Sequence, residues 1–320
     1  NIVILKPATP VFDDRMGIIL QGHMDMVPQK NSDVDHDFEK DPISTWIDGE
    51  WVKAKGTTLG ADNGIGVAMA LAALESDEVK HGPLEVLVTI DEETGMTGAR
   101  ALAADALKGD ILINCDSEAE GELCVGCAGG LDIVATIPCK LMNSPKTYTA
   151  YTIVAKGFTG GHSGMDISLY RANANKVLAR ILMHVMKENR ALLADIDGGT
   201  LRNAIPREAS ATILIPKGQV YSVRAAVKKL EQLVRFEYQA TDPHASLKIA
   251  KVEEPAQCFT AKTGLNAIMA ICACQNGVVR MSDSFPGLTE TSTNMAIVKS
   301  EGDTISVQSL LRSAVDSEKE

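Results

Sequence analysis

Four short segments carry acidic side chains, three of them together with histidine or asparagine, and each lies beside an apolar run. They are residues 22–28, 60–66, 91–95 and 114–118. Taken singly, each segment is more simply interpreted as a helix cap or a solvated turn. Taken together, they would bring at least four carboxylates and one imidazole close to one another, which is unfavourable unless cations balance the charge. The combination therefore predicts a metal site.

The types of side chain indicate which metal and which chemistry. One imidazole with several carboxylates and no thiolate suits zinc, manganese or cobalt, and does not suit a closed structural zinc site. Two such ions bridged by a carboxylate would polarise a carbonyl group and lower the pKa of a water molecule. We therefore expect two divalent ions, with zinc preferred and cobalt or manganese as alternatives, and a hydrolytic reaction.

The spacing of two pairs suggests a division of roles. Glu92 and Glu93 are adjacent at a predicted strand end, so their side chains should point in different directions. One can then bind a metal while the other acts as a general base. His23 and Asp25 are two residues apart on an extended segment and share a face, so Asp25 can orient the imidazole.

Predicted strands and helices place these segments at one edge of a sheet. Residues 16–22, 84–90 and 110–114 are short apolar runs typical of strands, and residues 62–75 and 99–107 are predicted helices. We expect the cap of the first helix near Asp62 or Asn63. The order predicts a mostly parallel α/β sheet, in which ligands bind beyond the carboxyl ends of the strands.

The character of the chain changes from about Leu131. Alternating apolar segments and long amphipathic helices follow, at residues 148–154, 172–189, 209–214 and 223–238. This mixture predicts an α+β domain. Because 320 residues are too many for one ordinary core, we expect two domains, residues 1–131 and residues 132–320.

Composition excludes several classes of partner. The net charge of -11 argues against nucleic acid, which needs a clustered positive surface. No apolar run approaches the roughly 18 residues that span a bilayer, so we expect no membrane segment. The seven cysteines lack the spacing of a disulfide framework, which favours the reducing cytoplasm. The pairs Cys124 with Cys127 and Cys272 with Cys274 could bind zinc, but their apolar surroundings favour structural cysteines.

Across essentially its whole length the sequence resembles the Xaa-His (aminoacylhistidine) dipeptidases of the M20 family of metallopeptidases. The most similar stretches are residues 22–30, 55–66, 92–95, 160–164 and 199–207. The resemblance implies a catalytic α/β domain with an inserted α+β lid domain that begins near residue 131.

The resemblance also implies a role for each candidate residue in the catalytic domain. His23 would bind one metal, Asp62 would bridge both, Glu93 would bind the other, and Asp116 would complete the first. Glu92 would be the general base. Asp25 would orient His23, as the spacing independently suggests.

Three residues of the predicted lid would contact the substrate. His162 would help to stabilise the oxyanion, although without the resemblance we would interpret it as a turn residue. Arg312 would bind the terminal carboxylate bidentately, and Asn203 would lie near the substrate. A structural surface role for Arg312 or Asn203 remains the alternative.

The resemblance is incomplete at both ends. Related enzymes have an additional N-terminal helical segment and a C-terminal part that supplies the last histidine ligand. We interpret the other histidines here, His36, His81, His184 and His244, as solvated or structural. We therefore expect these 320 residues to be the central part of a longer enzyme, with activity only in the longer form.

The sequence thus predicts a cytoplasmic two-metal dipeptidase that acts on Xaa-His (carnosine-like) dipeptides and forms a homodimer. Two other interpretations remain open: a deacylase or tripeptidase of the same family, and a catalytically incomplete fragment that binds metal or peptide.

Overall fold

The computed structural model describes residues 1–30, 34–117, 121 and 126–320. The chain divides into two compact units, residues 1–125 and residues 126–320. We call them unit 1 and unit 2. Their predicted functions as catalytic domain and lid domain remain predictions.

Unit 1 contains a small sheet, a hairpin and two helices. The strands are β1 (Ile2–Lys6), β2 (Ile18–His23), β3 (Thr45–Asp48), β4 (Trp51–Ala54), β5 (Leu84–Thr89) and β6 (Ile111–Asn114), and the helices are α1 (Ala61–Glu75) and α2 (Thr97–Arg100).

The four-stranded sheet of unit 1 has the order β1-β5-β2-β6. Strand β2 pairs in parallel with both β5 and β6, whereas β1 is antiparallel to β5. Every residue of β5 is buried, as expected for a central strand covered on both faces. The predicted α/β sheet is confirmed, and it brings the carboxyl ends of β2, β5 and β6 to the same edge.

Helix α1 packs its small residues against the sheet. Asn63, Gly66 and Ala70 are buried at the spacing of one helix face. Gly66 permits this close approach, because a Cβ atom there would lie 2.4 Å from the carbonyl oxygen of Cys115. The expected cap is not formed, since Asp62 and Asn63 have non-helical backbone angles and no side chain caps the helix. Asn63 is used elsewhere, as described below.

The helix predicted over residues 99–107 is wrong. Helix α2 ends at Arg100, and the following segment is a series of turns. These turns bring the backbone N–H of Lys108 to the carboxylate of Glu85, which is 5% exposed and accepts the bond at 2.9 Å. Satisfying a buried carboxylate is a tertiary requirement that local helix propensity does not report.

Unit 2 contains the two longest helices of the described residues, α3 and α4, and most of the strands. The strands are β7 (Gly129–Pro138), β8 (Leu141–Asn143), β9 (Tyr148–Lys156), β10 (Gly161–His162), β11 (Leu192–Gly198), β12 (Ala204–Ile205), β13 (Ala209–Pro216), β14 (Ser246–Lys251), β15 (Gln257–Phe259), β16 (Gly277–Met281), β17 (Thr289–Glu301) and β18 (Thr304–Ser313). The helices are α3 (Ala174–Asn189), α4 (Val220–Glu237) and α5 (Ala261–Ala273), with short 3-10 helices at Ile167–Leu169, Lys217–Gln219 and Asp316–Glu318.

An antiparallel sheet of eight strands forms the centre of unit 2. Seven strands follow the order β14-β9-β13-β11-β17-β18-β7, and β16 pairs with β17. The largest core lies between this sheet and the helices, and α3 contributes the fully buried Leu178, Ile181 and Leu182. The strands and helices expected in this half of the chain are present. In the part of the chain that the structure describes, no helix is long and apolar enough to cross a membrane.

Asn173 connects the start of α3 to two other segments. Its side-chain oxygen accepts hydrogen bonds from the backbone N–H groups of Asn175 and Lys176 at 3.0 and 3.3 Å and so caps the helix. Its amide nitrogen donates to Asn276 Oδ1 at 2.9 Å and to the carbonyl oxygen of Met295 at 3.0 Å. The side chain therefore satisfies polar groups of three segments at once.

We predict that Asn173→Ala destabilises unit 2. The loss of the cap and of bonds to buried groups should lower the free energy of unfolding by about 2–4 kcal/mol. Denaturant titration of the protein measures this change. Asn143→Ala, at an exposed position of β8, is the matched control and should change stability by less than about 0.5 kcal/mol. Equal stability of the two variants would contradict the assigned role.

Candidate metal centre

The predicted ligands of unit 1 lie at the carboxyl edge of its sheet. His23 is the last residue of β2, Glu93 follows β5 closely, and Asp116 follows β6. Asp62 lies at the start of α1. Four separate segments therefore bring their side chains to one place, as the strand-end pattern predicted. Glu118, from the same predicted segment as Asp116, lies outside the described residues.

Distances within this cluster are those of groups that can share a cation. The Nε2 atom of His23 lies 3.1 Å from Asp62 Oδ1 and 3.5 Å from Asp116 Oδ1. His23, Asp62 and Glu93 each offer a ligand atom, and these atoms lie within 4.8 Å of one another. The His23 ring is 1% exposed, so its position is fixed by its surroundings. The cluster can hold a divalent metal ion.

The imidazole of His23 is oriented through its other nitrogen. Nδ1 lies 2.9 Å from the backbone carbonyl oxygen of Asp25 and 3.5 Å from the carboxylate of the same residue. A proton on Nδ1 would be donated to this carbonyl, which leaves the lone pair of Nε2 facing Asp62 and Asp116. The backbone of Asp25 is thus the nearer orienting group, while Asp25 Oδ2 accepts the N–H of Glu93 at 3.1 Å.

Asn63 connects the segments that carry three of the candidate ligands. Its Oδ1 accepts the backbone N–H of His23 at 3.2 Å, and its Nδ2 donates to the carbonyl oxygen of Cys115 at 2.9 Å. The residue is 3% exposed and directly follows Asp62. One buried amide therefore fixes His23, Asp62 and the residue before Asp116 relative to one another. The sequence analysis assigned Asn63 only to a helix cap.

Asp91 shapes the loop that carries the two glutamates. Its backbone has a φ of 59°, and its carboxylate accepts hydrogen bonds from the hydroxyl groups of Thr94 and Thr97. Its carbonyl oxygen also accepts the N–H of Met96 at 2.6 Å. The loop is therefore closed around Glu92 and Glu93. A threonine three residues after an aspartate was a signal for such a turn, but the sequence analysis did not use it.

Crowding of the carboxylates perturbs their protonation. Burial raises the pKa of Glu93 to about 7, with contributions from the charges of Asp62 and Glu92. Burial also raises the pKa of Asp116 to about 6. The positive charge of His23 lowers this pKa, but burial and the negative charge of Asp62 together outweigh it. For His23, burial opposes the charged form, but the surrounding carboxylates outweigh it and raise the pKa of the imidazole.

The raised pKa values of these carboxylates show whether the residues suit a bound cation. With pKa values of about 7 for Glu93 and about 6 for Asp116, these carboxylates keep protons up to higher pH than ordinary carboxylates do. One further acceptor atom, Asp25 Oδ1, is buried and has no hydrogen-bond partner. A divalent ion would replace the retained protons and stabilise the ionised carboxylates. The donor set therefore fits a divalent metal.

Two predicted substrate residues, His162 and Arg312, lie together in unit 2. Nη2 of Arg312 is 3.4 Å from Nε2 of His162. Nδ1 of His162 accepts the backbone N–H groups of Gly164 and Met165 at 3.3 and 3.1 Å, so the neutral ring carries its proton on Nε2. Two hydrogen-bond donors therefore face one region, which suits an anionic oxygen.

The backbone around His162 is held by pairing with the strand after Asn203. Strand β10 pairs with β12, and the carbonyl oxygen of Asn203 accepts the N–H of Ser163 at 2.8 Å. The amide of Asn294 donates to the carbonyl oxygen of Ala204 at 2.8 Å and fixes β12 in turn. In this structure Asn203 contributes to the site through its backbone, and the role of its side chain remains a prediction.

Comparison with known proteins places this arrangement in a family. The model of Peptidase family M20/M25/M40 matches residues 19–300. The chain belongs to this family. The resemblance stated from the sequence is confirmed, and the α/β fold of this M20 chain agrees with it.

Two relatives of the M20 chain are similar over nearly its whole length. Cytosol non-specific dipeptidase of Escherichia coli (strain K12) is 45% identical, covering 100% of this chain and 66% of that protein. The crystal structure of aminoacylhistidine dipeptidase from Vibrio alginolyticus has a TM-score of 0.67 at 47% identity, covering 99% of this chain and 65% of that chain. An uncharacterized protein of Bacillus subtilis (strain 168) is 27% identical, covering 66% of this chain and 54% of that protein. The M20 chain spans just under two thirds of the length of the first two relatives.

The alternative of a cysteine-based zinc site gains no support. Among the residues that the structure describes, the group able to hold a metal contains His23, Asp62 and Glu93, without cysteine. Cys272 and Cys274 are free thiols, and burial raises the pKa of Cys272. Cys127 is an exposed free thiol, whereas Cys124 lies outside the described residues.

We predict that metal affinity rises with pH and reaches a plateau above about pH 7. The pKa of Glu93 is raised from 4.5 to about 7, so the folded metal-free protein holds a proton that the unfolded chain releases. Stability of the metal-free protein should fall as pH rises through this window, and zinc binding there should release protons. Calorimetric titration with zinc at pH 5.5, 6.5 and 7.5, in buffers of different ionisation enthalpy, measures the zinc affinity and the number of protons released. An affinity independent of pH would contradict the assignment.

We predict that Asn63→Ala weakens metal binding by about 10–100-fold, the range for residues that orient ligands. The four ligands remain, but the segments that carry them lose their connection. Zinc affinity is measured by competition with a chelating dye. Asn143→Ala, which removes an exposed amide in unit 2, is the control and should bind zinc normally. Unchanged affinity in Asn63→Ala would show that the ligand segments are held without this side chain.

Proposed function

We propose that this chain belongs to a metal-dependent dipeptidase and carries its metal-binding residues. The observation that carries the proposal is the convergence of His23, Asp62, Glu93 and Asp116 beside Glu92. Two relatives with dipeptidase names, each at least 45% identical, support a dipeptide as the substrate, with Xaa-His dipeptides as the expected class.

The residues of the cluster would bind two zinc ions. His23 and Asp116 would hold one ion, Glu93 would hold the other, and Asp62 would bridge them. The central position of Asp62 supports this assignment, since its carboxylate contacts His23 and lies close to both Glu93 and Asp116. When bound, the ions would polarise the scissile carbonyl group and lower the pKa of a nearby water molecule.

Glu92 would act as the general base. It lies close enough to affect the pKa of both Glu93 and Asp116, and it borders a cavity of about 270 Å³ that Asp116 also lines. Its carboxylate would accept a proton from the attacking water and deliver it to the leaving amine. Asp25 would keep the His23 ring in place through its carbonyl group and the Glu93 backbone through its carboxylate.

We assign residues 1–131 to the catalytic domain and residues 132–320 to a lid domain that contributes to substrate binding. Nε2 of His162 would donate a hydrogen bond to the oxyanion. Arg312 would bind the terminal carboxylate of the dipeptide, and Asn203 would lie near the substrate. The paired donors of His162 and Arg312 support an anion at this position.

We also propose that the enzyme acts in the cytoplasm as a homodimer. The E. coli relative has a cytosolic name, and the cysteine content of this chain suits a reducing compartment.

Activity should depend on both the metal and Glu92. In the complete polypeptide, chelation should abolish hydrolysis of Ala-His, and zinc, cobalt or manganese should restore it at about two ions per chain. Glu92→Gln should lower kcat by about 10²–10⁴-fold while the metal content stays unchanged, because only proton transfer is lost. Steady-state kinetics and metal analysis measure these quantities.

Glu75→Gln, an exposed carboxylate at the end of α1, is the control and should keep normal kcat. Near-normal turnover by Glu92→Gln would refute the assigned base. Hydrolysis that persists in the presence of the chelator would refute the metal mechanism. A preference for acylated amino acids or tripeptides over dipeptides would assign the same site to another substrate class.

A further inference from the structure

A cavity in unit 2 extends from the His162 and Arg312 pair, and it has both polar and apolar lining residues. Its volume is about 340 Å³. Met165 and Leu288 line part of it, while Glu290 and Ser292 line another part. Its size and mixed lining suit one amino-acid residue, with polar groups at Glu290 and Ser292 within its reach.

The Arg312 end of the cavity suits an anion. Nε of Arg312 is buried without a hydrogen-bond partner, and within the described residues no carboxylate lies within 4.0 Å of this guanidinium. Burial and the charge of Arg202 lower the pKa of Arg312, which reflects the cost of leaving the cation uncompensated. A carboxylate is the planar anion that a guanidinium binds best.

Glu290 lies on the same face of the sheet as Arg312, at a diagonally neighbouring position. In the pairing of β17 with β18, Ser292 is directly opposite Arg312. Glu290 precedes Ser292 by two residues, so its side chain emerges on the same face. Diagonal neighbours of this kind are about 7–8 Å apart along the backbone, within reach of long side chains, so the charged groups of Arg312 and Glu290 can border the same cavity.

The carboxylate of Glu290 has capacity for a further donor. Its side chain is 14% exposed, and Oε1 lies 3.0 Å from Nε of Arg280. A carboxylate offers about four acceptor positions, so this ion pair does not exhaust it. Arg280 is also held by Glu318 and Asp283, both at 2.6 Å, and does not depend on Glu290 alone.

We propose that this cavity binds the C-terminal residue of the dipeptide and that Glu290 selects its side chain. The terminal carboxylate binds Arg312, and an imidazole N–H or an ammonium group donates to Glu290. Glu290 is then a specificity-determining residue for substrates with C-terminal histidine or lysine. The inference rests on the proposed function for its substrate class, and on the cavity for its geometry.

The test compares Ala-His, Ala-Lys and Ala-Leu with the complete polypeptide and its Glu290→Gln variant. The amide keeps an acceptor for Arg280 but loses the charge. We expect kcat/KM for Ala-His and Ala-Lys to fall about tenfold, the loss typical of one hydrogen bond to a charged group, while Ala-Leu changes less than about twofold. Glu318→Gln is the matched control, because it removes another partner of Arg280 but does not line the cavity. It should leave the preference unchanged.

Binding to the chelated protein separates this inference from the proposed function. Dissociation constants of the three dipeptides, measured by calorimetry without metal, should show the same loss of preference in Glu290→Gln. A preference that depends on Glu290 without any turnover in the metal-loaded protein would support the cavity and refute the dipeptidase. An equal loss for all three substrates, the same effect in Glu318→Gln, or an unchanged preference would overturn the role of Glu290.

Discussion

The most demanding feature of this protein is the crowding of carboxylates around one buried imidazole. Like charges in a partly buried place cost free energy, and the raised pKa values of Glu93 and Asp116 measure that cost. The arrangement persists because His23 is locked by Asn63 and by the backbone of Asp25. The sheet of unit 1, the close packing at the glycine of its first helix and the closed loop at Asp91 all hold these side chains in position.

Much of this centre could be predicted because parallel strands share an edge. Once the runs ending near His23, Ile90 and Asn114 were recognised as strands, the acidic residues after them had to converge. Composition then limited the ligand, since imidazole and carboxylates without thiolate suit few ions. The resemblance to a known family assigned individual roles, which geometry alone leaves open.

What could not be predicted depends on contacts between distant segments. Asn63 bonds to residues 40 and 52 positions away, and nothing in its local sequence distinguishes that use from a helix cap. The segment after Arg100 has residues with good helix propensity, yet it turns because Lys108 must reach Glu85. In both cases a buried polar group decides the conformation, and a sequence pattern contains no information about its partner.

The two units have opposite electrostatic requirements. Unit 1 concentrates carboxylates, whose charge a divalent cation would offset, whereas the Arg312 region of unit 2 carries a partly buried cation, whose charge an anion would offset. A dipeptide supplies a carboxylate but no divalent ion, so it can satisfy only the second requirement. In the proposed function, metal and substrate would therefore compensate different charges on different residues. On this proposal the two charges are offset independently, because the carboxylates of unit 1 and the donors of unit 2 are separate sets of residues.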